Sequence, residues 1–128
     1  MTKILNLYKN LLDIVVTEFK IVVESGEIFY SQGRVPWKLR LYLCDGSFID
    51  VYNSGKGNYS YHWDRRIIVK KIYRHDNAPH KRWKGISSFP KHFHNGSEDV
   101  VVPSYIADDP ELALRQFLTF ALKHIIEE

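Results

Sequence analysis

A chain of 128 residues that is 45% hydrophobic and 26% charged carries enough apolar side chain to bury one core, which excludes wholesale disorder and predicts a single domain over 1–128. No run approaches the roughly 20 apolar residues that span a bilayer; Asn6, Lys9 and Asn10 break the N-terminus too early for a signal peptide, and the lone cysteine, Cys44, excludes an intrachain disulfide or thiolate zinc cluster. The expectation is a cytoplasmic protein with no membrane partner, whose net charge of +3 is unevenly spread: residues 62–94 hold nine Lys or Arg against Asp64 and Asp76, leaving the rest of the chain at −4.

Ile4, Leu5, Tyr8, Leu11, Leu12 and Val15 recur at helical spacing and predict an N-terminal helix with an apolar stripe. Phe19, Ile21 and Val23 then alternate with Glu18, Lys20 and Glu24, which reads as a strand that Ser25-Gly26 punctuates and residues 27–30 continue or reverse. Trp37, Leu39, Leu41 and Leu43 alternate strictly with Lys38, Arg40 and Tyr42, as a half-buried strand does. Ile49 and Val51 resume the apolar face after a turn, and parity selects its length. A two-residue loop sets Leu41 opposite Asp50; a three-residue loop, Cys44-Asp45-Gly46 with Gly46 left-handed, sets Leu41 opposite Ile49 and Leu39 opposite Val51. The second keeps one face apolar and is the expectation.

A glycine-rich connection over 53–58 leads into Tyr59-Ser60-Tyr61-His62-Trp63, a strand whose three aromatics read as sheet core rather than as a base-stacking platform. Asp64-Arg65-Arg66 turns the chain into a further β-branched strand over 67–73. Residues 75–103 hold Pro79, Pro90, Pro103, Gly85 and Gly96 with no apolar period, and so read as a long functional loop. Asp108-Asp109-Pro110-Glu111 starts a last helix, with Leu114, Phe117, Leu118, Ala121 and Ile125 on one face. Every connection is too short for a parallel crossover. The fold class is therefore α+β: an antiparallel four- to five-stranded sheet meander packed by N- and C-terminal helices.

Five of the six histidines, His62, His75, His80, His92 and His94, fall between 62 and 94. Imidazole gives or takes a proton near neutral pH, and a histidine cluster in a basic field suits acid–base cleavage of a phosphodiester, with Lys or Arg stabilising the charge that grows on phosphate. Asp76 is placed to orient a histidine, and Pro79 restricts the chain just before His80. His92-x-His94 on an extended segment also projects two rings to one side, where His80 or His62 would complete a metal site, but no HExxH or CxxC accompanies it. No metal or cofactor is the expectation. His124, on the last helix, reads as structural.

Three blocks, Tyr59-Ser60-Tyr61-His62-Trp63, Arg74-His75-Asp76-Asn77-Ala78-Pro79-His80 and Phe89-Pro90-Lys91-His92-Phe93-His94, resemble, in that order, the TumE-type toxin family of prokaryotic toxin–antitoxin modules. The resemblance implies a toxin neutralised by a cognate antitoxin, commonly a helix-turn-helix protein. Residue by residue it points to His62, Asp76, Asn77, His80, His92 and His94. The chain departs from the family pattern at Lys81 and Lys91, where the family often carries further histidines. That departure argues against a mechanism needing every imidazole.

The leading expectation is a toxin acting on RNA as a metal-independent endoribonuclease. His62 and His80 are the acid–base candidates, with His92 or His94 as a further one, Asp76 orients a ring, and Arg74, Lys81, Arg82 and Lys91 contact nucleic acid. The alternatives are a module that grips nucleic acid or protein with structural histidines, and a metal-dependent hydrolase. The acidic C-terminal end, set against the basic segment, leaves a homodimer among the expected partners.

Overall fold

The computed structural model describes residues 2–127. Helix α1 (Thr2–Glu18) precedes a meander of β1 (Val23–Tyr30), β2 (Pro36–Leu43), β3 (Phe48–Asn53), β4 (Tyr59–Asp64), β5 (Ile72–Asp76), β6 (His92–Gly96) and β7 (Val101–Pro103). A one-turn helix α2 (Arg66–Val69) joins β4 to β5, and α3 (Pro110–Ile126) closes the chain. All neighbours pair antiparallel in sequence order, β1-β2-β3-β4-β5-β6-β7. The expected meander between terminal helices is present with seven strands rather than four or five.

Both long helices lie on one face of the sheet. Tyr8, Leu11 and Val15 of α1 and Ala113, Leu114, Phe117, Leu118 and Ala121 of α3 share a core with Leu39, Leu41, Ile49, Val51, Tyr61 and Trp63. The Tyr8 hydroxyl donates to the Trp37 carbonyl at 2.9 Å and accepts from the Asn53 amide at 3.0 Å, so this buried polar group is satisfied where α1 crosses the sheet. Helix α3 starts as its sequence dictates: the Asp109 carboxylate accepts from the Leu112 amide at 2.9 Å, with Pro110 at the first helical position. No helix among the described residues is long and apolar enough to cross a membrane.

The β2–β3 hairpin has the register that parity selects. Leu41 faces Ile49 and Leu39 faces Val51. The Leu43 amide bonds the Ser47 carbonyl at 2.9 Å, and Gly46 has φ of 90°. Tyr59, Tyr61 and Trp63 are buried core, as expected.

Three segments differ from the sequence reading. The strand expected around 18–24 begins at Val23, because α1 runs on to Glu18 and a tight turn follows, with the Val22 and Val23 amides both bonded to the Phe19 carbonyl. Val22 and Val23 are buried while Ile21 is 74% exposed, so the apparent alternation was not a sheet face. The strand expected over 67–73 starts at Ile72. Asp64 accepts from the Arg66 amide at 3.0 Å and turns the chain into α2, leaving Ile67 and Ile68 exposed. Lastly, residues 75–103 are not a structureless loop, since β6 and β7 lie within them.

Candidate functional site on the open face of the sheet

Side chains alternate across a strand, so the residues between the core positions point away from the helices. Pairing aligns Arg40, Asp50, His62, Arg74 and His94 in one row across five strands. Ser60, Asp76 and His92 form a second row two residues along. The sheet register, not sequence proximity, assembles the site. The segment between β5 and β6 covers part of this face: the Trp83 ring lies 5.9 Å from the rings of both His92 and His94, which are 1% and 3% exposed.

The charges in these rows are paired. Arg40 holds Asp50 through two bonds of 2.7 and 2.9 Å, and Lys38 adds a third at 3.1 Å. Burial alone would raise the Asp50 carboxyl, but the bonds from Arg40 and Lys38 together outweigh it and hold the group below its ordinary range. Arg74 donates to Asp76 at 3.0 Å and forks onto Glu98 at 2.6 and 2.7 Å, and it lowers Glu98 in turn.

Between Asp50 and Arg74 stands His62. Among the described residues its ring makes no hydrogen bond. Burial, followed by the positive charge of Arg74, pushes its pKa below 6.5, so it is neutral at pH 7. That is the state a general base requires.

His92 and His94 are held differently. The Nδ1 of His92 lies 2.9 Å from the Pro90 carbonyl, and the Nδ1 of His94 lies 2.9 Å from the Glu98 carbonyl. Carbonyl oxygen can only accept, so each Nδ1 carries hydrogen and each Nε2 is turned toward the face. Both Nε2 atoms converge on Asp76: His92 at 3.0 Å from Oδ1 and His94 at 3.9 Å from Oδ2. Burial lowers the His94 pKa. Asp76 is fixed by the Ala78 amide at 3.0 Å on Oδ1 and by Arg74 on Oδ2.

The structure thus gathers His62, Arg74, Asp76, His92 and His94 on one face and leaves other sequence candidates outside the cluster. The side-chain amide of Asn77 bonds the Tyr59 amide at 3.0 Å and the Gly57 carbonyl at 2.7 Å, tying β4 and its preceding loop to the end of β5. His80, Lys81 and Arg82 are exposed at the 3₁₀ turn Lys81–Trp83, with the Arg82 guanidinium 4.6 Å over Trp83. Lys91 bonds the Ile106 carbonyl and Asp108 at the far edge of the sheet. Where the sequence suggested His80 or His62 beside His92-x-His94, Asp76 holds that place.

His75 points to the helix face. It stacks on Phe93 at 4.1 Å, lies 2.7 Å from the Ser104 hydroxyl, and lines an apolar cavity of about 320 Å³ with Phe93, Ile106 and Phe117. His124 packs against Trp63, Tyr73 and Phe120, as a structural histidine should. Sequence reasoning missed Arg40, Asp50, Trp83 and Glu98. The outward phase of β2 and β3 signals the first two, whereas nothing local marks Trp83 or Glu98.

The family model described as Toxin TumE matches residues 12–126, nearly the whole chain. No curated protein and no solved structure matches it significantly.

Proposed function

The chain belongs to the TumE toxin family, and from that membership and the open face we propose that it acts on RNA as an endoribonuclease, with His62 as general base. The single observation carrying this reading is a neutral imidazole without a hydrogen-bond partner among the described residues, set in a row of paired charges on an otherwise open sheet. A toxin that halts growth needs a target present in every cell, and the basic segment over 62–94 suits a polyanion.

In this reading His62 removes the 2′-hydroxyl proton of a ribose, and the resulting oxygen attacks the adjacent phosphorus. The bond to the 5′-oxygen breaks, and that oxygen takes a proton from a charged imidazole. His80, exposed and with no side-chain hydrogen bond among the described residues, is the candidate acid. The products are a 2′,3′-cyclic phosphate and a free 5′-hydroxyl. Lys81 and Arg82 contact phosphate, because Arg74 and Lys91 are already held by carboxylates. Neither proton transfer calls for a metal ion. Asp76 and Asn77 position the face, and His92, buried with its Nδ1 held by the Pro90 carbonyl, does the same. The partner implied by the family is a cognate antitoxin, for which a helix-turn-helix protein remains our proposal, and the compartment would be the cytoplasm. A homodimer stays a proposal for solution measurement.

The test is cleavage of a broad RNA panel by the purified chain with end-group analysis of the products. His62→Gln is expected to lower the rate by about 10²–10⁴-fold, the range for a lost general base. If wild type and variant are equally inert while both bind RNA in a salt-dependent way, the face grips RNA without cutting it.

A further inference from the structure

We propose that Asp76, His92 and His94 form a binding site for one divalent transition-metal ion of the zinc class. This goes beyond the RNA reading and stands or falls independently of it.

The argument begins with hydrogen positions that the geometry forces. Each Nδ1 faces a backbone carbonyl, at 2.9 Å in both rings, and must therefore carry the hydrogen of a neutral imidazole. Each Nε2 is then a bare lone pair. Both lone pairs face the oxygens of a carboxylate that already accepts from the Ala78 amide and from Arg74. Acceptors face acceptors across gaps of 3.0 and 3.9 Å. Something positive belongs between them.

A proton is one candidate, and it would join His92 to Asp76 as an imidazolium–carboxylate pair. It does nothing for His94, whose Nε2 is 3.9 Å from Asp76, beyond hydrogen-bond reach. One metal ion satisfies all three groups. With metal–donor bonds near 2.0–2.2 Å, donors on one ion lie about 3–3.5 Å apart, and the three donors here sit within 4.8 Å of one another. A backbone carbonyl on Nδ1 that aims Nε2 is the usual support for a metal-binding histidine. Two imidazoles and one carboxylate suit zinc or a neighbouring transition ion, and leave coordination positions for water or an anion. Magnesium and calcium prefer all-oxygen sets.

Charge fits as well. Arg74 touches Asp76, but its guanidinium is also forked onto Glu98, so Arg74, Asp76 and Glu98 together carry one net negative charge. A dication would turn that local charge to +1.

The test uses the full-length, tag-free chain stripped of metal. Calorimetric titration with Zn²⁺ is expected to give one ion per chain, and Co²⁺ a saturable visible absorption. His94→Asn and Asp76→Asn are each expected to weaken binding at least about tenfold, while His80→Asn leaves it unchanged. Should either ligand variant fail to fold, Trp83→Phe keeps all three ligands and serves instead: Co²⁺ should quench wild-type tryptophan emission substantially more than that of the variant. Nitrogen-15 spectra should show both Nε2 resonances moving on Zn²⁺ addition. Absence of saturable binding, equal affinity in wild type and His94→Asn, or unmoved Nε2 resonances would each overturn the site and leave a proton between His92 and Asp76. Inert RNA with intact Zn²⁺ binding would sink the nuclease reading alone.

Discussion

Asp76 receives bonds from Ala78 and Arg74 and faces the Nε2 of His92 at 3.0 Å, whereas the ring of His62, one strand away, makes no hydrogen bond among the described residues. That contrast separates a positioning group from a group free to react. Neighbouring charges act on His62 in opposite senses: Arg74 disfavours the imidazolium, whereas Asp64, and after it Asp50 and Glu98, favour it. An Asp50→Asn variant should therefore push the His62 titration still further below 6.5, as followed by its ring-proton shift against pH. A shift upward, or none, would mean the two side chains do not sense each other across the β3–β4 pair. Most of the candidate residues were legible in the sequence, because five of the six histidines crowd into 62–94, although Asp76, His92 and His94 were read there as loop rather than as strand. Their partners were not legible. Glu98 reaches Arg74 across 24 residues and Trp83 covers two imidazoles from a turn, and neither relation leaves a local pattern.

The elements read best were those whose two faces differ in chemistry. β2 and β3 bury Leu39, Leu41, Ile49 and Val51 on one side and carry half-buried, paired charge on the other, so periodicity and parity give both strands and their register. β6 escaped because its outward residues, His92 and His94, are polar yet buried under Trp83, and Phe93 alone supplies an apolar phase. β1 was obscured by Gly26, which reads as a turn residue. Its real task is close approach: a Cβ there would lie 2.6 Å from Leu12 Cδ1 and 3.1 Å from Leu41 Cδ2, where α1 packs on β1. Gly26→Ala should destabilise the chain by about 1 kcal/mol, the low end of the cost of overpacking, because the nearer clash is with the far end of a leucine side chain that can shift. Leu12→Ala in the same chain should recover part of that loss, since it removes the nearer clash. A double-mutant cycle in urea checks this, and strict additivity would show that Gly26 is there for another reason.

Across the whole molecule, the sheet separates two environments that each keep histidine neutral. His75 on the helix face is pushed down to about 4 by burial, with the positive charge of Lys91 adding to the effect. His62 and His94 on the open face are lowered as well, again chiefly by burial. The sign follows directly. Above pH 6.5 these rings are neutral in both folded and unfolded chains and contribute nothing to the balance. As pH falls below 6.5 the unfolded chain takes up protons that the folded chain refuses, so stability drops, and for His75 the drop continues to about pH 4. The lowered carboxylates Asp50, Asp64 and Glu98 act in a separate window, because their unfolded values of 3.8, 3.8 and 4.5 place their loss at lower pH. Urea unfolding between pH 7 and 5 should therefore report the histidines. For His75 alone the slope approaches about 1.4 kcal/mol per pH unit once the unfolded ring is mostly charged. His75→Gln should flatten the wild-type slope by up to that amount while leaving the separate contributions of His62 and His94. A wild-type stability that stays level from pH 7 to 5 would mean that water reaches these rings far more freely than the packing of Phe93, Phe117 and Trp83 allows.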